Sequence, residues 1–154
     1  MEPELPQPTT GLLAVRAHRA ELRDSIAALE QALAGPVPGR VAAWAERVHV
    51  ALVELSADLR VHIELTEGVG GLHVEVLAAA PRMAGAVRRL VADHVEITPM
   101  VEDLLARTSG PLDGDEVMAA RALGVTLLGR LVRHRQVGAD LVYEAYATDI
   151  GGEN

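Results

Sequence analysis

Residues 18–33 read HRAELRDSIAALEQAL, so that Leu22, Ile26, Leu29 and Leu33 follow His18 at helical spacing. Steps of three and four residues return to one face of an α-helix, and a stripe of this composition must be buried. The pattern recurs along the chain. Val48, Leu52, Leu55 and Leu59 lead to His62; Met83, Val87, Leu90, His94, Val101 and Leu105 form another stripe; Leu127, Leu131, His134 and Leu141 form the last. Strand signals are nearly absent, with no Phe, two Tyr and no sustained apolar alternation. The chain is therefore expected to be all-α.

Turn chemistry divides it. A first helix is expected from Thr10 to Ala34, ended by Gly35-Pro36-Val37-Pro38-Gly39, which cannot continue a helix. A second runs from Pro38 to Glu67, where Gly68-Val69-Gly70-Gly71 breaks the chain. A short helical piece, Leu72 to Ala80, leads to Pro81, which suits the first turn of a third long helix reaching Thr108. Asp113 and Glu116 have capping-box spacing for a fourth, extending to Thr148. Long helices joined by short connections imply an antiparallel up-down-up-down four-helix bundle over residues 10–148, with a flexible N-terminal arm (1–9) and a C-terminal tail (149–154).

Composition narrows the function. With 154 residues, 49% of them hydrophobic, the chain has room for one domain with a real core. No apolar run approaches bilayer length, and Met1 to Pro8 is acidic and proline-rich where a signal peptide would be basic and then apolar. A soluble cytoplasmic protein is expected. The absence of cysteine excludes disulfides, thiolate metal sites and iron–sulfur clusters. A formal charge of −8 argues against nucleic acid as a partner, since a phosphate-binding surface needs a cationic excess. Gly-rich phosphate loops and nucleophilic Ser/His/Asp arrangements are missing.

The histidines are where chemistry enters. His18, His62, His94 and His134 fall one in each apolar stripe, and imidazoles converging inside a bundle are a metal-site pattern. At roughly 1.5 Å per residue, His62 is expected about 8 Å from the end of its helix and His18 about 12 Å from the start of its own, the same end of an antiparallel pair. On that scale His94 and His134 each lie about 20 Å from that end. Staggered helices would bring all four into one layer. His49 and His73 are expected at the surface, Trp44, Tyr143 and Tyr146 in the core or at a bundle end, and Pro99 at a kink.

Together with His62-Ile-Glu-Leu-Thr-Glu67 and His134-Arg-Gln-Val-Gly-Ala-Asp140, this arrangement resembles the hemerythrin-like (HHE cation-binding) domains over about residues 12–148. The stretch from Arg133 to Gly152 is similar to the C-terminal part of small actinobacterial members. The resemblance implies a hemerythrin-like bundle with a non-heme di-iron centre, histidine terminal ligands and bridging carboxylates shortly after the histidines of the second and fourth helices. It also implies O2, NO or peroxide as a small ligand, in a carrier, a sensor, or iron and redox handling. Where the family places a carboxylate four residues after His, this chain has Thr66 and Gly138. Glu67, five residues after His62, is the carboxylate that the resemblance carries over as a ligand beside His18, His62, His94 and His134. Asp140 points about 120° away on a regular helix, and Glu21 and Glu96 are further oxygen donors near the ring.

Two metal readings stay open. With a carboxylate swung in, the N/O donor set suits Fe or Zn; with imidazoles alone, one divalent ion is held by a neutral set. Thr66, Thr98 and Gly138 leave room beside the ring for a small ligand. The expected function is thus non-heme iron binding with a small ligand. The alternatives are an O2- or peroxide-activating oxidoreductase on the same centre, and a helical interaction module whose metal site has degenerated.

Overall fold

The computed structural model describes the backbone of residues 10–151, with side chains through residue 146. The arm expected at 1–9 and residues 152–154 of the expected tail lie outside the described residues. The architecture is all-helical. In chain order the elements are α1 (Thr10–Ala34), α2 (Val41–Glu67), α3 (Leu72–Ala79), a 3-10 turn (Pro81–Met83), α4 (Ala84–Arg107) and α5 (Gly114–Gly151), with no strand among the described residues. α1 packs along α2 and α4 along α5, while α2 meets α4 and α1 meets α5. No described helix is long and apolar enough to cross a membrane.

Most boundaries follow from local chemistry. α2 begins at Val41 rather than at Pro38, because Gly39 takes a left-handed backbone (φ 70°) that no helix accommodates. Pro81 opens the 3-10 turn leading into α4, where its missing N–H costs nothing. Asp113 Oδ1 accepts the Glu116 N–H at 2.8 Å, the cap that starts α5. α4 runs continuously through Pro99, which is exposed.

Side chains from other elements satisfy the ends of α1. The Glu75 carboxylate, on α3, accepts the amides of Gly11 (2.9 Å) and Leu12 (3.2 Å) at its N-terminus, where negative charge also complements the helix dipole. At the other end Leu33 O accepts from Trp44 Nε1 (3.3 Å) and Arg121 Nε (3.0 Å), and Arg121 also reaches Gly35 O. Trp44 is fully buried, as expected, whereas Tyr143 is exposed and is a correction to its expected packing role.

The core is divided. A larger cluster joins Leu22 to Leu33 on α1, Trp44 to Leu59 on α2, Ile97 to Leu104 on α4 and Val117 to Leu131 on α5. A smaller one joins Leu12, Leu72, Val76, Met83, Leu90, Leu141 and their neighbours around α3. Along α1, α4 and α5 the chain passes from one cluster to the other across His18, His94 and His134, and α2 passes His62 as it leaves the larger cluster. The histidines thus occupy the polar layer between two apolar ones.

At Gly124, α5 lies tightly against α1. A Cβ at Gly124 would lie 2.7 Å from Leu33 Cδ1 and 3.3 Å from its Cγ, and Leu33 is itself buried. Overpacking of this kind costs about 1–3 kcal/mol. Gly124→Val is expected to lower the unfolding free energy, measured by urea denaturation, by that amount. Gly129→Ala, on the same helix with nothing within 4 Å of the added Cβ, is expected to raise stability by about 0.5–1 kcal/mol through helix propensity. Equal effects of the two changes would refute this packing.

Candidate metal centre

Three histidines from three helices converge. His62 on α2, His94 on α4 and His134 on α5 place ligand nitrogens within 4.8 Å of one another. His134 Nε2 lies 2.9 Å from His94 Nε2 and 3.3 Å from His62 Nε2. The rings do not stack. Their planes meet at 89° for His62 and His94, 83° for His62 and His134, and 57° for His94 and His134, so the edges carrying the nitrogens turn toward a common point.

The far nitrogens identify the tautomers. His94 Nδ1 is in direct contact with the Glu67 carboxylate, and His134 Nδ1 lies 2.9 Å from Asp93 Oδ2. An ionised carboxylate only accepts hydrogen bonds, so both Nδ1 atoms carry the proton and donate it. The Nε2 atoms of His94 and His134 are then bare lone pairs facing each other at 2.9 Å. His62 can offer a proton to His134 but not to both neighbours. A cation shared by the three nitrogens removes the repulsion. For an ion with bonds of 2.0–2.1 Å to imidazole in tetrahedral geometry, neighbouring nitrogens stand about 3.3 Å apart, close to the 2.9 and 3.3 Å that separate His134 from its two neighbours.

A proton is a poor candidate for that cation. Burial, reinforced by the His94 and His134 rings, lowers the His62 pKa from 6.5 to about 3. Burial, followed by His134 and His73, lowers that of His94 to about 3 against the opposing pull of Asp93. Both side chains are neutral at physiological pH, the form that ligates metal.

His18 and Glu67 have other partners. His18 Nε2 donates to the Asp58 carbonyl at 3.0 Å, one helical turn before His62 on α2 or about 6 Å along the axis. It lies outside the three-nitrogen group. Glu67 holds His94 from outside that group, reaching across from α2 to α4. The other oxygen donors are engaged elsewhere: Glu96 pairs with Arg130, Glu21 lies 3.9 Å from His18 Nδ1, and Asp140 accepts from Gln136.

Sequence reasoning missed two residues. Asp93 precedes His94, and a neighbour in sequence faces about 100° away on a helix, so only the position of α5 shows that it serves His134. His73, expected at the surface, is buried, because α3 closes over the end of the bundle. Its ring is nearly parallel to that of His94 with centroids 6.5 Å apart, and its Nδ1 has no hydrogen-bond partner among the described residues. Burial lowers its pKa, with Glu67 pulling the other way. His49, also expected at the surface, is half-buried and bonded to Thr108 Oγ1 at 3.0 Å.

A cavity of about 280 Å³ adjoins the centre, lined by His18, His62, His73 and His134 among leucines and valines. Thr66 and Gly138 both line it, so the small residues at these two positions leave open space beside the histidines. Thr98 does not line it. Among known proteins, no family model, curated sequence or solved structure matches the chain.

The desolvated imidazoles of half-buried His62 and buried His94 set a pH dependence for the metal-free protein. Between pH 6.5 and about 3 the unfolded chain binds protons on His62 and His94 that the folded chain excludes. Stability therefore falls as the pH drops through this window and is complete above it. Carboxylates titrate mainly near pH 4, so the urea midpoint is expected to decline already between about pH 7 and 5. A flat midpoint over that range would contradict neutral, shielded imidazoles.

Proposed function

We propose that this protein is a hemerythrin-like bundle of antiparallel up-down-up-down helices that holds one divalent metal ion, iron in its working form, on His62, His94 and His134. The observation that carries this reading is the lone-pair contact between His94 and His134, each imidazole fixed from behind by a carboxylate of another helix. Carboxylate-backed imidazoles are the usual outer support of metal-binding histidines, setting tautomer and ring orientation. A neutral three-nitrogen set suits one ion of the Fe, Zn, Cu and Ni group. Two irons bridged by carboxylates find less support, since Glu67 and Asp93 both sit behind the rings.

Three protein ligands with space beside them is the arrangement of reactive rather than purely structural sites. An ion held there supplies Lewis acidity and, when it is iron, one-electron redox chemistry toward O2, NO or peroxide. The chain's own part is to hold His94 and His134 in one tautomer and to line the space beside the three imidazoles largely with apolar side chains. The cavity, about 280 Å³ and thus larger than a diatomic gas requires, favours a second reading in which the same centre serves an oxidoreductase with an organic substrate.

Metal analysis of protein loaded anaerobically with ferrous ion tests both readings. About one ion per chain is expected for the unaltered protein and for His18→Ala, and little or none for His62→Ala, His94→Ala or His134→Ala. Glu67→Gln and Asp93→Asn are expected to keep the fold and weaken the metal about 10–100-fold. No metal in the unaltered protein, with stability indifferent to chelators, would overturn the proposal in favour of an interaction module with a degenerate site.

A further inference from the structure

The cavity beside the histidines differs in charge from the molecule as a whole. The chain is net −8, yet Arg16, Arg19 and Arg135 all line this cavity. None of the three has a hydrogen-bond or ion-pair partner among the described residues. Arg16 and Arg19 are exposed, whereas Arg135 is half-buried, with Arg19 and Arg23 as its charged neighbours. Like charges gathered at a partly desolvated site repel, and a bound anion relieves that repulsion.

The remaining walls are apolar. Leu12, Leu65, Leu72, Leu90 and Leu141 line the interior, and His62 and His134 present the edge of the candidate centre. At about 280 Å³ the space lies near the lower end of small-molecule sites, too small for a dinucleotide or a flavin. A ligand that satisfies both parts carries one anionic group and a compact apolar body. Guanidinium pairs bidentately with carboxylate, which makes an organic acid the fitting class.

We propose that this cavity binds a small amphipathic carboxylate, its anionic group held by Arg19 and Arg135 and its apolar body lying among the leucines toward His62 and His134. Medium-chain fatty acids and arylalkanoic acids share this chemistry. Binding itself needs no metal; the proposal rests on the metal reading only for what the far end of the ligand meets.

Titration calorimetry on the full chain, metal-free and Zn-loaded, tests it with octanoate, 3-phenylpropanoate, octan-1-ol and acetate. Saturable binding of octanoate or 3-phenylpropanoate is expected, the tighter of the two identifying the preferred body. Octan-1-ol, without the charge, and acetate, without the body, are each expected to bind at least about tenfold more weakly, or about 1.4 kcal/mol. Arg19→Gln combined with Arg135→Gln should weaken the acid about tenfold or more. Gly138→Leu, placed where an added Cβ meets nothing within 4 Å, should abolish binding while leaving one metal per chain. Equal affinity for octanoate and octan-1-ol, an unaffected arginine double variant, or no saturable binding of either acid would overturn the proposal. Metal uptake without acid binding would defeat this inference alone, and acid binding without metal uptake would defeat the metal reading alone.

Discussion

Three imidazole nitrogens pointing at one another inside a helical bundle are the constraint on which the rest of this structure turns. Glu67 and Asp93 accept hydrogen bonds from the outer N–H groups of His94 and His134, which leaves the inner nitrogens of these two rings with lone pairs and no proton to share. Burial then disfavours the extra proton that would otherwise fill the gap. Each feature taken alone is ordinary. Combined, they set lone pairs against one another in a place where a shared cation would relieve the repulsion.

The same arrangement ties helices together. Glu67 reaches from α2 to α4 and Asp93 from α4 to α5, so each carboxylate supports an imidazole on a neighbouring helix. At the closed end Glu75 joins α3 to the first turn of α1. Polar contacts therefore fix the relative positions of helices that apolar packing alone would leave freer to slide, since leucine stripes accept several registers while a carboxylate-to-imidazole contact accepts one.

Much of the fold was legible in the sequence, because a buried face writes itself into residue spacing. The stripes from Leu22 to Leu33 and from Val48 to Leu59 are core, and the glycine and proline clusters separate the helices where expected. The site was legible only in part. His62, His94 and His134 meet, since inward position along a helix is a local property. Whether His18 shares their level depends on how α1 slides against α2, and it sits a turn away on the Asp58 carbonyl. The partners of the outer nitrogens come from neighbouring helices, so a search for carboxylates on the same helical face looks in the wrong place for Asp93. His73 was unreadable for a similar reason, as only the docking of α3 covers it.

The division of the apolar core has a consequence for how the molecule breathes. The cluster around α3 is the smaller of the two and holds the first turns of α1 against the later turns of α5. Opening free energies in a protein follow the local apolar contacts that must be broken. That end of the bundle therefore opens as a subglobal unit at lower cost than global unfolding, with the larger cluster still closed. The consequence for hydrogen exchange is an early set of amides around the smaller cluster and a late set around the larger one, with the histidine layer as the expected boundary. The centre lies at the edge of that part, so a loss of its packing would disturb the three histidines while the larger cluster still held the helices together.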